Sequence, residues 1–301
     1  PVLLRDGLKT ILFNEFGAAP VTWPQLVRRE TSNKEQEVYV ELAPMGTMPR
    51  VGEGTEYPKI NPLGLPSVSI RNFKYGDIFA ITEEMIKFDK TGLMRQLAED
   101  QANRAAQTIE EAVYDLLFAT ANYTRTTSDN NIGNNTNATT FSAQGFELAY
   151  STLTTMQDRR SGRYYGVQPD TLVISPRLQW AAYQLFRSQG IQWGTGNTTS
   201  VIYGAGNVNP MYGVIKNIIV SPQVIRAGSN YGWLLMQSRK AAVYQEVEPL
   251  QLAVQGLDRI EDEGRFLYDE IRYRVRVWFG VGMGNDRFAY LSSSTTAPAI
   301  G

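Results

Sequence analysis

The chain has 301 residues, 43% of them hydrophobic and 20% charged, with 29 Lys plus Arg against 30 Asp plus Glu. It contains no Cys and no His, which excludes disulfides, thiol nucleophiles, imidazole bases and the metal sites built from those side chains. A net charge of -1 excludes a polycation, so any basic surface must be local.

Residues 1–33 carry apolar spots (Leu8, Ile11, Leu12, Phe13, Phe16) without a long regular period, and Gly17-Ala18-Ala19-Pro20 is a helix breaker. The segment reads as an arm that docks on the same subunit or on a neighbour. Residues 37–42 form a short strand candidate. Five prolines (Pro44, Pro49, Pro58, Pro62, Pro66) and four glycines then crowd residues 44–66, a spacing no helix or central strand tolerates. Strand character returns over residues 67–81, where Val68 and Ile70 alternate with polar neighbours. Strand, stiff tip and strand make a long hairpin that is marginal alone and needs something to lie on.

Thr82 is placed to cap a short helical turn and Asp89 the next. Residues 93–121 predict a long amphipathic helix. Met94, Leu97, Ala98, Gln101, Ala105, Ile109, Ala112 and Leu116 share one face, and Glu99, Asn103, Gln107 and Glu110 lie opposite. Residues 122–140 are Asn/Thr-rich and read as loop. The Asn-x-Thr triplets at Asn122, Asn134, Asn137 and Asn197 read as chance within such loops.

Ser142 predicts the cap of a helix bearing Phe146, Tyr150, Leu153 and Met156 on one face. Residues 171–174 predict a short buried strand. Ser175-Pro176 opens another helix with Leu178, Ala182, Leu185 and Phe186 inward. Residues 190–210 form a Gly/Asn/Thr loop, and 215–220 and 233–236 are strands. Together these suggest a small mixed α/β domain. Strands follow at 247–254, at 271–277 and at 287–291. In the second, Ile271, Tyr273, Val275 and Val277 point inward and Arg272, Arg274 and Arg276 outward. Residues 292–301 read as a frayed tail.

No chemical site stands out. Gly280, Gly282 and Gly284 follow a strand but lead to no helix, so they read as a Gly-rich turn and not as a nucleotide loop. Glu261-Asp262-Glu263 has neither calcium-loop spacing nor the form of a catalytic dyad. Glu83-Glu84 and Glu110-Glu111 are adjacent in helix and point to different sides. The arginine row repels itself unless it faces anions, so it meets partner carboxylates, a phosphate backbone or open solvent. No apolar run reaches the roughly 18 to 20 residues of a membrane helix, and no signal-peptide pattern opens the chain. It reads as soluble and intracellular in origin.

The order of parts is more informative than any single residue. A docking arm, a Pro/Gly-tipped hairpin, a long helix, a compact α/β insertion and returning strands resemble the major capsid proteins of tailed bacteriophages, the Hong Kong 97-type fold. Asp170-Thr171-Leu172-Val173-Ile174-Ser175-Pro176-Arg177 resembles the axial-domain strand entering its helix. Residues 271–279, the following glycines and Asp286-Arg287-Phe288-Ala289-Tyr290 resemble the C-terminal peripheral strands.

The resemblance implies an α+β fold with an N-terminal arm at 1–36, an extended hairpin or E-loop at 37–81 and a peripheral domain with its spine helix at 82–141. An α/β axial domain at 142–246 and a return to the peripheral domain at 247–301 complete it. It further implies self-assembly through pentamers and hexamers into an icosahedral shell around double-stranded DNA, without enzymatic activity, cofactor, metal or membrane. Portal, scaffolding and decoration proteins are the other implied partners. DNA is contacted without sequence specificity, and the product is a virion assembled in the bacterial cytoplasm. Pro44, Pro49, Pro58, Pro62, Pro66, Arg272, Arg274 and Arg276 are the candidate assembly contacts. An encapsulin-like compartment shell, a tail or connector component, and an enzyme using carboxylate or Lys/Tyr chemistry stay open.

Overall fold

The computed structural model describes residues 2–40, 47–59, 67–88, 92–124, 135–157, 163–189, 209–255 and 267–298. Pro44, Pro62, Pro66, Asp89, most of the 190–210 loop and the Glu261-Asp262-Glu263 run lie outside the described residues. The helices are α1 (Val2–Ala18), α2 (Trp23–Leu26), α3 (Glu83–Phe88), α4 (Leu93–Leu117), α5 (Ala143–Thr154), α6 (Gln179–Arg187) and α7 (Gln223–Arg226). The strands are β1 (Arg28–Thr31), β2 (Gln36–Tyr39), β3 (Val68–Arg71), β4 (Phe73–Thr82), β5 (Thr136–Asn137) and β6 (Thr171–Ile174). They continue with β7 (Asn217–Val220), β8 (Trp233–Met236), β9 (Ala242–Gln255), β10 (Glu270–Met283) and β11 (Ala289–Ser292).

The N-terminal segment departs from the expected irregular arm. It forms the 17-residue helix α1, with Pro20 placed just past its end. Leu8 and Leu12, four positions apart, are buried, and α1 lies along α4. Packing supplies what the weak local period does not. The arm therefore docks on its own subunit.

Helix α4 is 25 residues long, about 38 Å at 1.5 Å per residue. It is buried on more than the expected stripe: Ala98, Ala102, Ile109, Val113, Tyr114 and Leu117 all reach the interior. One side meets the four-stranded sheet β1–β9–β10–β4, in which β1 runs parallel to β9 and the remaining pairs are antiparallel. The expected alternation on β10 holds, since Ile271, Tyr273, Val275 and Val277 are buried.

The second sheet has the order β5–β11–β8–β6–β7. Its odd and even residues enter different cores. Leu172, Ile174, Trp233, Leu235 and Tyr290 pack with Phe146 and Phe186 of α5 and α6, whereas Val173, Leu234, Met236 and Leu291 join the core that contains α4. Cover on both faces explains why β6, β8 and β11 are buried along their whole length. Ser142 caps α5, accepting a 3.1 Å bond from the Gly145 N–H. Thr82 caps α3 through the Met85 N–H.

Two expectations change here. Residues 286–288 are a short 3-10 turn, and β11 joins this second sheet beside β8, not the sheet of β10. Of the Asn/Thr-rich stretch, the described residues 135–137 are not loop but lead into β5. Asn135 is buried and donates its side-chain amide to the carbonyls of Asp286 and Ala289 at 3.0 and 3.2 Å, anchoring β5 beside β11.

Candidate assembly surfaces

Among the described residues, the hairpin is tied down at its base. Strands β2 and β3 pair over four residues, from Gln36 opposite Arg71 to Tyr39 opposite Val68. Below them the Asn72 N–H donates to the Glu35 carbonyl at 2.8 Å, and Arg71 pairs with Glu35 at 2.7 Å. Tyr39 donates its hydroxyl to Glu30 at 2.5 Å and accepts from the Gln245 amide. Burial, then the bond to Glu30, pushes the Tyr39 hydroxyl pKa up.

The described residues beyond the base are almost all exposed. Residues 47–59, which include Pro49 and Pro58, run exposed around a turn closed by Thr55 on the Gly52 carbonyl at 2.7 Å. Met48 is 93% exposed and Tyr57 79%, and Val38 and Val40 also face water. Met48 and Tyr57 belong to a segment without strand pairing of its own, and large apolar side chains left in water favour contact with another surface.

The arginine row lies on the sheet face opposite α4, and the structure divides it. Arg272 pairs with Glu270 at 2.6 Å and stands 5.7 Å from the Tyr268 ring. Arg276 pairs with Glu248 and donates to Gln251 at 2.8 Å. Arg274 is exposed between Ala253 and Ile78 in the register, and among the described residues it has no ion pair. The repulsion expected of three aligned cations is thus relieved by two carboxylates of the same chain. Trp278 extends the face, with the Lys74 ammonium 5.0 Å from its ring centre.

Glu110 and Glu111 point to different sides, as expected of adjacent helical residues, but Glu110 departs from the polar face. Glu110, assigned by periodicity to the polar face, is buried and accepts bonds from the backbone N–H groups of Thr22 and Trp23. Glu111 faces Arg226 at 3.8 Å. No local signal marks Glu110, because its partners lie 87 and 88 positions away. Among the described residues no group of three or more acidic side chains could hold a metal, and no helix is long and apolar enough to cross a membrane. The displaced tyrosines, Tyr114, Tyr123 and Tyr244, are all pushed up by burial, the wrong direction for a phenolate base.

The sequence pattern of a family described as phage capsid protein matches residues 67–292, three quarters of the chain. The chain belongs to the phage capsid protein family. No curated protein matches it. The fold is similar to the capsid structure of cyanophage P-SCSP1u, at TM-score 0.62 and 14% identity over 93% of this chain and 89% of that one. It is also similar to the mature capsid of bacteriophage PhiM1, at TM-score 0.58 and 10% identity over 92% and 88%. A virus-like particle from Pyrococcus furiosus is similar at TM-score 0.53 and 9% identity over 95% and 98%. At such low identity these likenesses give the fold, which is the Hong Kong 97 type. This capsid protein is a structural subunit of the virion shell, joining copies of itself into capsomers, and not an enzyme.

Proposed function

We propose that the capsid protein builds its icosahedral shell from pentamers and hexamers in which each hairpin lies across a neighbouring copy. The observation that carries this reading is the hairpin itself: four residue pairs at the base, then Met48 and Tyr57 in water. The half built on the four-stranded sheet and α4 acts as the peripheral domain, and the half built on the five-stranded sheet as the axial domain. Residue Arg274, unlike its paired neighbours, is available to a carboxylate of another copy. The shell encloses double-stranded DNA without reading its sequence. It is assembled in the bacterial cytoplasm with portal, scaffolding and decoration proteins.

Replacing residues 44–66 with a short Gly/Ser turn tests the hairpin's role. Thermal unfolding of the subunit should stay close to wild type, because the cores around α4 and α5 include none of the described tip residues 47–59. Sedimentation should show that particles no longer form. Normal shells from the shortened chain would contradict the reading.

A further inference from the structure

Strand β3 passes against β10 where two glycines stand, and those glycines are not the turn that the sequence suggests. Gly280 and Gly282 lie inside β10, paired with Gln245 and Val243 of β9. A Cβ added at Gly280 would sit 2.8 Å from the Arg71 carbonyl oxygen and nearer still to Asn72 Oδ1. One added at Gly282 would sit 2.5 Å from Ile70 Cδ1. Only glycine admits so close an approach.

The residues seated there are the buried ones of an otherwise exposed ribbon. Ile70 is 1% exposed and Asn72 4%. Asn72 separates β3 from β4, at the point where the hairpin leaves the four-stranded sheet. Its side-chain amide donates to the Lys34 carbonyl at 2.8 Å and to Ser32 Oγ at 3.4 Å, so it ties the incoming strand to the outgoing one. Among the described residues its Oδ1 has no hydrogen-bond partner, and it lies against Gly280.

We infer that this crossing is an elbow. Ile70 and Asn72, seated on Gly280 and Gly282, set the direction in which the hairpin leaves the body, and through it the placement of the neighbouring copy. The second half of that statement rests on the proposed contact between hairpin and neighbour. A strand advances about 3.3 Å per residue, so a small tilt at the seat grows toward the tip.

The absence of Cys allows two labels to be placed without background. Spin labels at Glu56→Cys on the tip and Lys240→Cys on the body report the hairpin's direction in unassembled subunits. Gly282→Ala should shift this distance by several ångströms while thermal unfolding shows a folded body. The affinity with which a subunit joins should weaken about tenfold, equivalent to ~1.4 kcal/mol, and particle yield should fall with it. Adding Ile70→Ala vacates the space, leaving Ile70 Cβ 3.3 Å from the new methyl, and should restore both distance and yield. An unchanged distance in folded Gly282→Ala, or a double variant that folds without restoring it, overturns the elbow. If Gly282→Ala does not fold, Ile70→Ala alone must broaden the distance distribution, and an unbroadened one overturns the elbow equally. A shifted distance with normal shells overturns instead the bridging contact on which the second half rests.

Discussion

Thr22 and Glu110, 88 positions apart, hold the N-terminal segment onto the long helix. The Thr22 N–H donates to the Glu110 carboxylate at 3.0 Å, its hydroxyl donates to the same group, and the Trp23 N–H adds a bond of 2.9 Å. The carboxylate thereby satisfies the free N–H groups where α2 begins, as a capping side chain would. It also ends α1's exit path, so the arm is fastened at Thr22 as well as by Leu8 and Leu12.

Glu110→Gln should therefore destabilise the subunit. The neutral amide would remove the charge from these bonds and turn an NH2 toward the Thr22 hydroxyl, at a cost of about 1–3 kcal/mol. Thermal unfolding should shift down, and limited proteolysis should cut first between α1 and Trp23. A variant with wild-type melting and cleavage would show that the arm is held by apolar packing alone.

Alkaline pH should loosen the same region. Burial pushes the Tyr114 hydroxyl from 10.0 up to about 12, whereas in the unfolded chain it ionises near its ordinary value. Below pH 10 both states keep the proton and this group contributes no pH dependence. Between about pH 10 and 12 the unfolded state gains charge that the folded state resists, so stability falls by up to ~1.4 kcal/mol per pH unit. Tyr114→Phe loses the 2.7 Å contact with Thr22 and lowers stability at neutral pH. It should nevertheless flatten the alkaline slope by about one proton's worth. An unaltered slope in the variant would contradict the assignment. Tyr123 and Tyr244, pushed up by burial too, keep some slope in place.

The arginine row predicts a split between stability and assembly. Arg276→Ala removes a pair with Glu248 that is only partly shielded, so subunit stability should fall by no more than about 1 kcal/mol. Arg274→Glu should leave the melting temperature unchanged and reduce the rate or extent of particle formation, read by light scattering. Unimpaired assembly of Arg274→Glu would return that residue to plain solvent exposure.

The parts that could be read from the sequence are those whose determinants are local. Ser142 and Thr82 announce caps within three residues of the N–H groups they satisfy. The alternation from Ile271 to Val277 reports a sheet with one buried face, and residues 171–174 and 233–236 report strands covered on both. The parts that could not be read depend on contacts between distant segments. Helix α1 has a weak period and is stabilised by α4. Residue Glu110 is polar by type and buried by Thr22 and Trp23. Gly280 and Gly282 look like a turn because the reason for them, Ile70 and Asn72, lies some 210 positions earlier. Strand β11 resembles the peripheral strands in sequence order yet joins β8, because its residues report burial but not which sheet edge the strand joins.

Electron cryo-microscopy of purified, self-assembled material tests the central claim most directly. Closed icosahedral shells of pentamers and hexamers are expected, in which density for residues 47–59 rests on an adjacent subunit and covers Met48 and Tyr57. Particles without closed symmetry, or shells in which each hairpin folds back on its own subunit, would contradict it.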